Sequence, residues 1–246
     1  MEQRTDEWLL ARKGKVTASE CYLLLNNHKE PMTEEELAEF KKANPRSRTT
    51  TKEVPFSDGT FTYLNKKIAE YYMSDSAFLE DAEQRQVNNR AMQFGTLWED
   101  TARQRYAESM GYEVYEVGFI PLEGYEIYAG GSPDGMIREE DGIIEIKCPW
   151  NPEVHQDYCL FEEPEDLKEY NLQYYCQCQK NMIVTKTSFC DFVSFDPRTV
   201  KANQLKVLRI PKDEEMCKEL LYRLDLAKQY YIERMDRLSN FKSVIR

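Results

Sequence analysis

The sequence predicts an α/β fold with a mixed central sheet flanked by helices. Three observations carry this expectation. Asp134-Gly135 and Ile143-Ile144-Glu145-Ile146-Lys147 flank Glu139-Glu140-Asp141-Gly142, and Asp-Gly is a strong hairpin signal. Helical stretches bracket that hairpin, over 90–110 and from Pro164 to about Met182. The order helix, antiparallel strands, helix, strands, helix is that of an α/β sandwich.

Element by element, residues 5–12 read as a short helix carrying Trp8 and Leu9. Thr17-Ala18-Ser19-Glu20 offers hydroxyl caps for a second helix through about Leu25. Thr33-x-x-Glu36 is a capping box that opens an acidic helix to about Lys42. Asn44–Gly59, with two prolines and a threonine run, reads as loop, and 60–73 as helix. The helix over 90–110 ends at Gly111. Strands are expected at 113–121, 125–131, 134–138 and 143–147. Pro164 opens a helix that begins with acidic residues, as the helix dipole favours. Strands follow at 188–195 and 205–210, separated by the turn at Asp196-Pro197. The last helix, 213–239, places Met216, Leu220, Leu224, Ala227, Tyr231 and Met235 at spacings of three and four. That stripe reads as core packing or an oligomer face. No repeat or low-complexity linker divides the chain, so 1–246 reads as one domain. It has a mostly helical section over 1–90, a core over 91–210 and a C-terminal helix over 211–246.

Composition narrows the function. The 246 residues are 41% hydrophobic and 31% charged, a real core under a well-solvated surface. No stretch approaches the ~20 apolar residues that span a bilayer, and Met1–Asp6 carries no apolar signal-peptide run. Seven cysteines without framework spacing fit reduced thiols in a cytoplasm. Zinc is disfavoured, because Cys176-x-Cys178 is the only close pair and there are two histidines. The formal charge of −11 argues against a protein that coats nucleic acid through a general positive field, but not against a nuclease. Basic residues gather at Arg12-Lys13-Gly14-Lys15, Lys41-Lys42 and Arg46–Arg48, so any DNA contact is local.

The hairpin carries the chemistry. It brings Asp134 and Glu145 side by side, and Glu145 and Lys147, two apart on a strand, share a face. Two carboxylates and an ammonium then converge. Carboxylate oxygens bind Mg²⁺ or Mn²⁺, and a lysine can orient or deprotonate a water. The plainer alternative is an exposed hairpin with a surface Glu–Lys pair. Three further features join it. Glu99, Arg103 and Tyr106 share a helical face, as functional groups or as a surface pair worth ~0.3–0.5 kcal/mol. Gln173 and Gln177 lie four apart, with Tyr170 and Lys180 continuing a stripe that would otherwise be a solvated face. Arg12-x-Gly14-x-Val16-Thr17-Ala18-Ser19 sets a guanidinium and two hydroxyls at a helix start, suited to a phosphate or to ordinary capping.

Together these motifs resemble the lambda-phage exonuclease family, the YqaJ-like viral recombinase nucleases of the PD-(D/E)xK superfamily. The likeness runs in order through Arg12–Ser19, Ala91-Met92-Gln93-Phe94-Gly95 with Glu99 and Ala102-Arg103, Ser132–Gly135, and Glu145-Ile146-Lys147-Cys148-Pro149. It continues through Gln177-x-Gln179, Met182-x-Val184-Thr185 and Asp196-Pro197-Arg198. It implies a restriction-endonuclease-like core and 5′-to-3′ digestion of one strand of duplex DNA from an end. It implies two Mg²⁺ per site, with Mn²⁺ as substitute, held by Asp134, Glu145, the Ile146 carbonyl and Glu99. Lys147 then positions or activates the attacking water, Gln177 orients that lysine or water, and Arg12, Ser19 and Thr17 hold the 5′-phosphate. The products would be 5′-mononucleotides and a 3′ single strand for recombination.

The resemblance further implies a homotrimeric ring on a double-stranded DNA end, a single-strand annealing protein as partner, and a phage- or prophage-encoded protein of the bacterial cytoplasm with no membrane association. One departure follows Pro149, where the family's basic residue is missing; His155 is a candidate replacement for its phosphate contact. Residues 28–90 are longer than and different from the family pattern. The competing readings are a structure-specific or restriction-like endonuclease and a non-catalytic DNA-end-binding module. An iron–sulfur relative would need four suitably placed cysteines, a pattern that Cys176, Cys178, Cys190 and Cys217 do not show.

Overall fold

A computed structural model describes residues 2–87 and 89–240. Helix α1 (Asp6–Arg12) starts at Thr5, whose hydroxyl accepts a hydrogen bond from the Trp8 amide. The segment Ala18–Leu25 is a 3-10 helix instead of the expected α-helix. Its buried residues, Ala18, Cys21 and Leu24, recur every three positions, which a three-residue turn places on one face. The loop-like stretch hides a strand. Strand β1 (His28–Pro31) pairs antiparallel with β2 (Thr51–Val54) around helix α2 (Glu34–Ala43), which carries the expected Thr33–Glu36 capping box. Helices α3 (Asp58–Tyr72), α4 (Asp75–Val87) and α5 (Arg90–Met110) follow, and Gly111 closes α5 in the left-handed region at φ 72°. Of these three, α4 is the one the sequence does not predict.

Three of the expected strands shrink, to β3 (Val114–Tyr115) and β4 (Ile120–Pro121), β5 (Gly130–Gly131) and β6 (Gly135–Ile137), whereas β7 (Gly142–Lys147) forms where expected. An unanticipated helix, α6 (Pro152–Cys159), comes next. The single helix read from Pro164 is two, α7 (Pro164–Tyr170) and α8 (Leu172–Thr185). Asn171 ends the first and caps the second, accepting from the Tyr174 amide at 3.2 Å. Strands β8 (Phe189–Phe195) and β9 (Leu205–Pro211) and helix α9 (Glu214–Ser239) complete the order.

The main sheet runs β3-β6-β7-β8-β9. Only β7 and β8 are parallel, and α6, α7 and α8 supply the crossover that a parallel pair requires. The sheet is mixed and helix-covered, as the sequence predicts. Alternation along β7 decides what each face meets. Ile144 and Ile146 pack with Ala102 and Tyr106 of α5. Ile143 packs on the other face with Tyr175, Cys178 and Met182 of α8. Glu145 and Lys147, on the Ile143 side, therefore aim at α8.

The turn between β6 and β7 is not centred on Asp141-Gly142. Its left-handed residue is Glu139, at φ 65°. Gly142 instead begins β7 pressed against Phe189, where a Cβ would lie 2.1 Å from the ring. A third core joins the N-terminal section to α8 and α9, with Val16, Cys21, Leu24 and Leu64 against Leu220, Leu224, Ala227 and Tyr231. The apolar stripe of α9 is consumed inside this chain, so it is not a free oligomer face. Among the described residues no helix is long and apolar enough to cross a membrane.

Candidate active site

A cavity of about 610 Å³ opens where the end of β7 meets α1, α5 and α8. Asp134, Glu145, Ile146, Lys147, Gln177, Glu99, Arg12 and Ser19 all line it. The hairpin register sets its floor. The Asp134 amide donates to the Ile144 carbonyl at 3.1 Å, and the Ile146 amide donates back to Asp134 Oδ2 at 2.6 Å. Arg103 Nε fixes the Asp134 carbonyl at 2.9 Å.

Glu145 is wholly buried. Its Oε1 accepts from Lys147 Nζ at 2.7 Å and Gln177 Nε2 at 2.5 Å, and its Oε2 accepts from Asn181 Nδ2 at 3.0 Å. Lys147 Nζ also donates to Gln177 Oε1 at 3.1 Å and lies 4.5 Å from the centre of the Tyr174 ring. A buried charge is tolerable only when it is paired and hydrogen-bonded, and this network supplies both. The exposed-hairpin alternative is therefore excluded. Burial opposes the Lys147 charge, but Glu145 and Asp134 outweigh it and hold its pKa above the ordinary lysine value.

Glu99 is not a surface partner either. Its side chain is 14% exposed and is gripped by Arg4 Nη2 and, at 3.0 Å, by Arg103 Nη2. Burial and the nearby Asp134 charge still raise its pKa to about 7, against the pull of both arginines. Burial and Glu145 raise Asp134 to about 7 as well, with Lys147 and the Ile146 amide opposing. The floor is thus a cluster of desolvated carboxylates whose cationic neighbours do not offset burial and mutual repulsion.

All its donors are oxygens: the carboxylates of Asp134, Glu145 and Glu99 and the Ile146 peptide. Such a set suits Mg²⁺ or Mn²⁺ and not zinc. Among the described residues no three acidic, histidine or cysteine side chains form a ready cage. In the present arrangement Arg4 and Arg103 hold Glu99, and Lys147, Gln177 and Asn181 occupy Glu145.

Arg12 lies over Trp8, 4.0 Å from the ring centre, and Trp8 Nε1 donates to Ser132 Oγ at 3.0 Å. Among the described residues the Arg12 guanidinium has no hydrogen-bond or ion-pair partner. Thr17 departs from expectation. It is buried off the cavity wall, and its hydroxyl turns to Glu20 Oε2 at 3.0 Å. The rest of that basic cluster is spent elsewhere, Lys13 on the Met73 carbonyl and Asp75, Lys15 on the Ala11 carbonyl.

His155 is fully buried between Ser194 Oγ (2.7 Å) and the Asn203 carbonyl (2.8 Å), so it cannot replace a phosphate contact. Gln173 donates to the Ser19 carbonyl at 3.2 Å. Lys180, read as part of a solvated face, is buried with no hydrogen-bond partner among the described residues, and burial lowers its pKa to about 8. Three site neighbours escaped the sequence reading. Asn181 continues the four-residue step from Gln177 and could have been found by it. Tyr174 and Arg4 carried no local signal.

A mixed five-stranded sheet with an Asp…Glu-x-Lys set at a hairpin end defines a nuclease of the restriction-endonuclease-like fold. Residues 7–188 match the model of the YqaJ-like viral recombinase domain, and the chain belongs to that family. Among solved structures it is similar to an alkaline exonuclease from Laribacter hongkongensis, at 28% identity over 96% of each chain with a TM-score of 0.66. The same enzyme in complex with dAMP aligns at 28% identity over 95% of this chain and 96% of that one, again at 0.66. A phage-related exonuclease from Haemophilus somnus 129PT shares the fold, at 15% identity over 91% and 96% with a TM-score of 0.60. No protein with a curated description matches.

Proposed function

We propose that this protein is a metal-dependent exonuclease that digests one strand of duplex DNA in the 5′-to-3′ direction from an end. It releases 5′-mononucleotides and exposes a 3′ single strand for recombination. The observation that carries this reading is one cavity holding Asp134, Glu145 and Lys147 together with the guanidinium of Arg12, which stacks on Trp8. Family membership and the likeness to an alkaline exonuclease support it.

Asp134, Glu145 and the Ile146 carbonyl would hold Mg²⁺, and Glu99 would complete a second position. Two such ions would supply positive charge to the attacking and leaving oxygens of an in-line displacement. Lys147 acts as a held cation that orients the attacking water and meets developing negative charge. In the metal-free protein Glu145 and Asp134 hold its pKa above the ordinary lysine value. Gln177 bridges Lys147 and Glu145 and fixes both. Arg12 and Ser19 bind the terminal phosphate, since a guanidinium suits bidentate phosphate contact. Each release then brings the next phosphodiester over the carboxylates. The test is digestion of linear duplexes labelled at either end, with and without Mg²⁺, beside closed circles. Degradation from 5′ ends with circles spared is expected; cut circles would indicate an endonuclease.

Arg12→Ala is expected to remove a preference for 5′-phosphorylated over 5′-hydroxyl ends. A charge-assisted contact contributes roughly 1.5–3 kcal/mol, so the wild-type preference should be at least tenfold. Competition between the two substrates measures it, and equal wild-type rates would remove the phosphate pocket.

A chain of charge −11 needs a way to stay on DNA. A closed homotrimeric ring around the duplex, with a single-strand annealing protein as partner, would provide one topologically. Light scattering should give three times the chain mass. A monomer that still digests processively would contradict the ring.

A further inference from the structure

Beyond the carboxylates and the phosphate pocket, the cavity carries an exposed indole that neither uses. Trp150 follows Lys147 by three residues, lines the cavity beside Met92, and is 46% exposed. Isolated exposed apolar side chains are common; this one is held by a built frame. Arg198 donates to the carbonyls of Trp150 and Pro149 at 3.0 Å each. The same guanidinium is bidentate to Asp196, itself fully buried, with both contacts at 2.8 Å. It also lies 4.5 Å from the centre of the Phe94 ring. Phe94 in turn meets the indole edge-on, at 5.6 Å and 81°. The frame fixes the ring while leaving much of its surface open, so ordering costs on binding are small. Trp8, the other indole on the cavity wall, already carries Arg12 on its face.

We infer that Trp150 is a stacking platform for one nucleobase of the DNA strand drawn into the cavity. The inference rests on the nuclease reading. Arg12, Lys147 and the carboxylates address phosphates; Trp150 addresses a base. Stacking is indifferent to sequence because every base has a π-face, which suits an enzyme that must accept each nucleotide in turn.

The experiment compares wild type, Trp150→Ala and Trp150→Phe on 5′-phosphorylated duplexes with a single abasic residue at each of the first four 5′ positions. Trp150→Ala is expected to raise KM about tenfold with kcat changed less than threefold, and Trp150→Phe to stay within threefold of wild type. One abasic position should cost the wild type about the same factor and cost Trp150→Ala nothing more. An unchanged KM in Trp150→Ala, or penalties that simply multiply at every position, would overturn the platform. Should Trp150→Ala melt early, the wild type decides alone, because indifference to all four lesions also overturns it. A wild type that digests no duplex overturns the nuclease reading and the platform with it, an outcome distinct from the others.

Discussion

Lys147→Ala is expected to lower the hydrolysis rate at least a thousandfold, a barrier increase of about 4 kcal/mol. Among the described residues the ammonium is the one cation bonded directly to the floor carboxylate Glu145, and Gln177 and Tyr174 fix its position. Preorganised charge of this kind needs no reorganisation when the reaction develops negative charge. The substitution also touches stability. Removing one partner of a buried ion pair commonly costs ~3–5 kcal/mol. Gln177 Nε2 and Asn181 Nδ2 still solvate Glu145, so the loss should fall below that range. Measuring the melting temperature beside the single-turnover rate separates the effects. The rate should stay low at temperatures where the variant is fully folded. Retention of more than about a tenth of wild-type activity, only ~1.4 kcal/mol, would remove Lys147 from the chemistry.

What the sequence disclosed of this site follows from how local each part is. Asp134, Glu145 and Lys147 sit on one hairpin, so strand alternation and a turn signal suffice to bring them together. Glu99 and Arg103 were legible as a helical pair, but Arg4 reaches Glu99 from 95 residues away, and no spacing rule reports that. Glu99 therefore read equally well as a surface residue. Thr17 was misplaced because a hydroxyl before a helix is expected to cap it or face a ligand. Instead the 3-10 geometry leaves it uncapping and buried against Glu20.

The same logic separates the helices. Asn171 and Pro152 are ordinary boundary signals, at a cap and at a first helical turn, that the reading passed over inside one long helix and one loop. The β1–β2 ribbon is harder. Its strands are mostly polar, contain no buried residue, and pair across the whole of α2, so neither burial nor a short turn marks them. The mixed sheet was legible because β7 and β8 are nearly continuous buried runs, the pattern of strands covered on both faces.

Metal removal should have an effect as large as Lys147→Ala, and the carboxylates give it a pH signature. Chelation is expected to abolish hydrolysis, and Mg²⁺ or Mn²⁺ to restore it. In the metal-free protein Asp134 and Glu99 have pKa values raised to about 7, by burial first and then by Glu145 and Asp134 respectively. Arg4, Arg103 and Lys147 oppose those shifts without cancelling them. Raised carboxylate pKa values mean that the folded state holds more protons than the unfolded chain between about pH 4 and pH 7. Stability of the metal-free protein should therefore fall as pH rises through that window, with the full loss present above it. A divalent cation takes the place of those protons. Its stabilisation should be small at pH 6, where it competes with them, and larger at pH 8, where the carboxylates are already ionised. At a hundredfold excess over its dissociation constant, about 2.7 kcal/mol, it should raise the melting temperature at pH 8 by roughly 5–10 °C. Thermal melts at the two pH values, with and without Mg²⁺, measure this directly. An equal gain at both, or full activity in chelator, would mean that Asp134 and Glu99 do not hold the ion, because a ligand that must lose a proton to bind cannot be indifferent to pH.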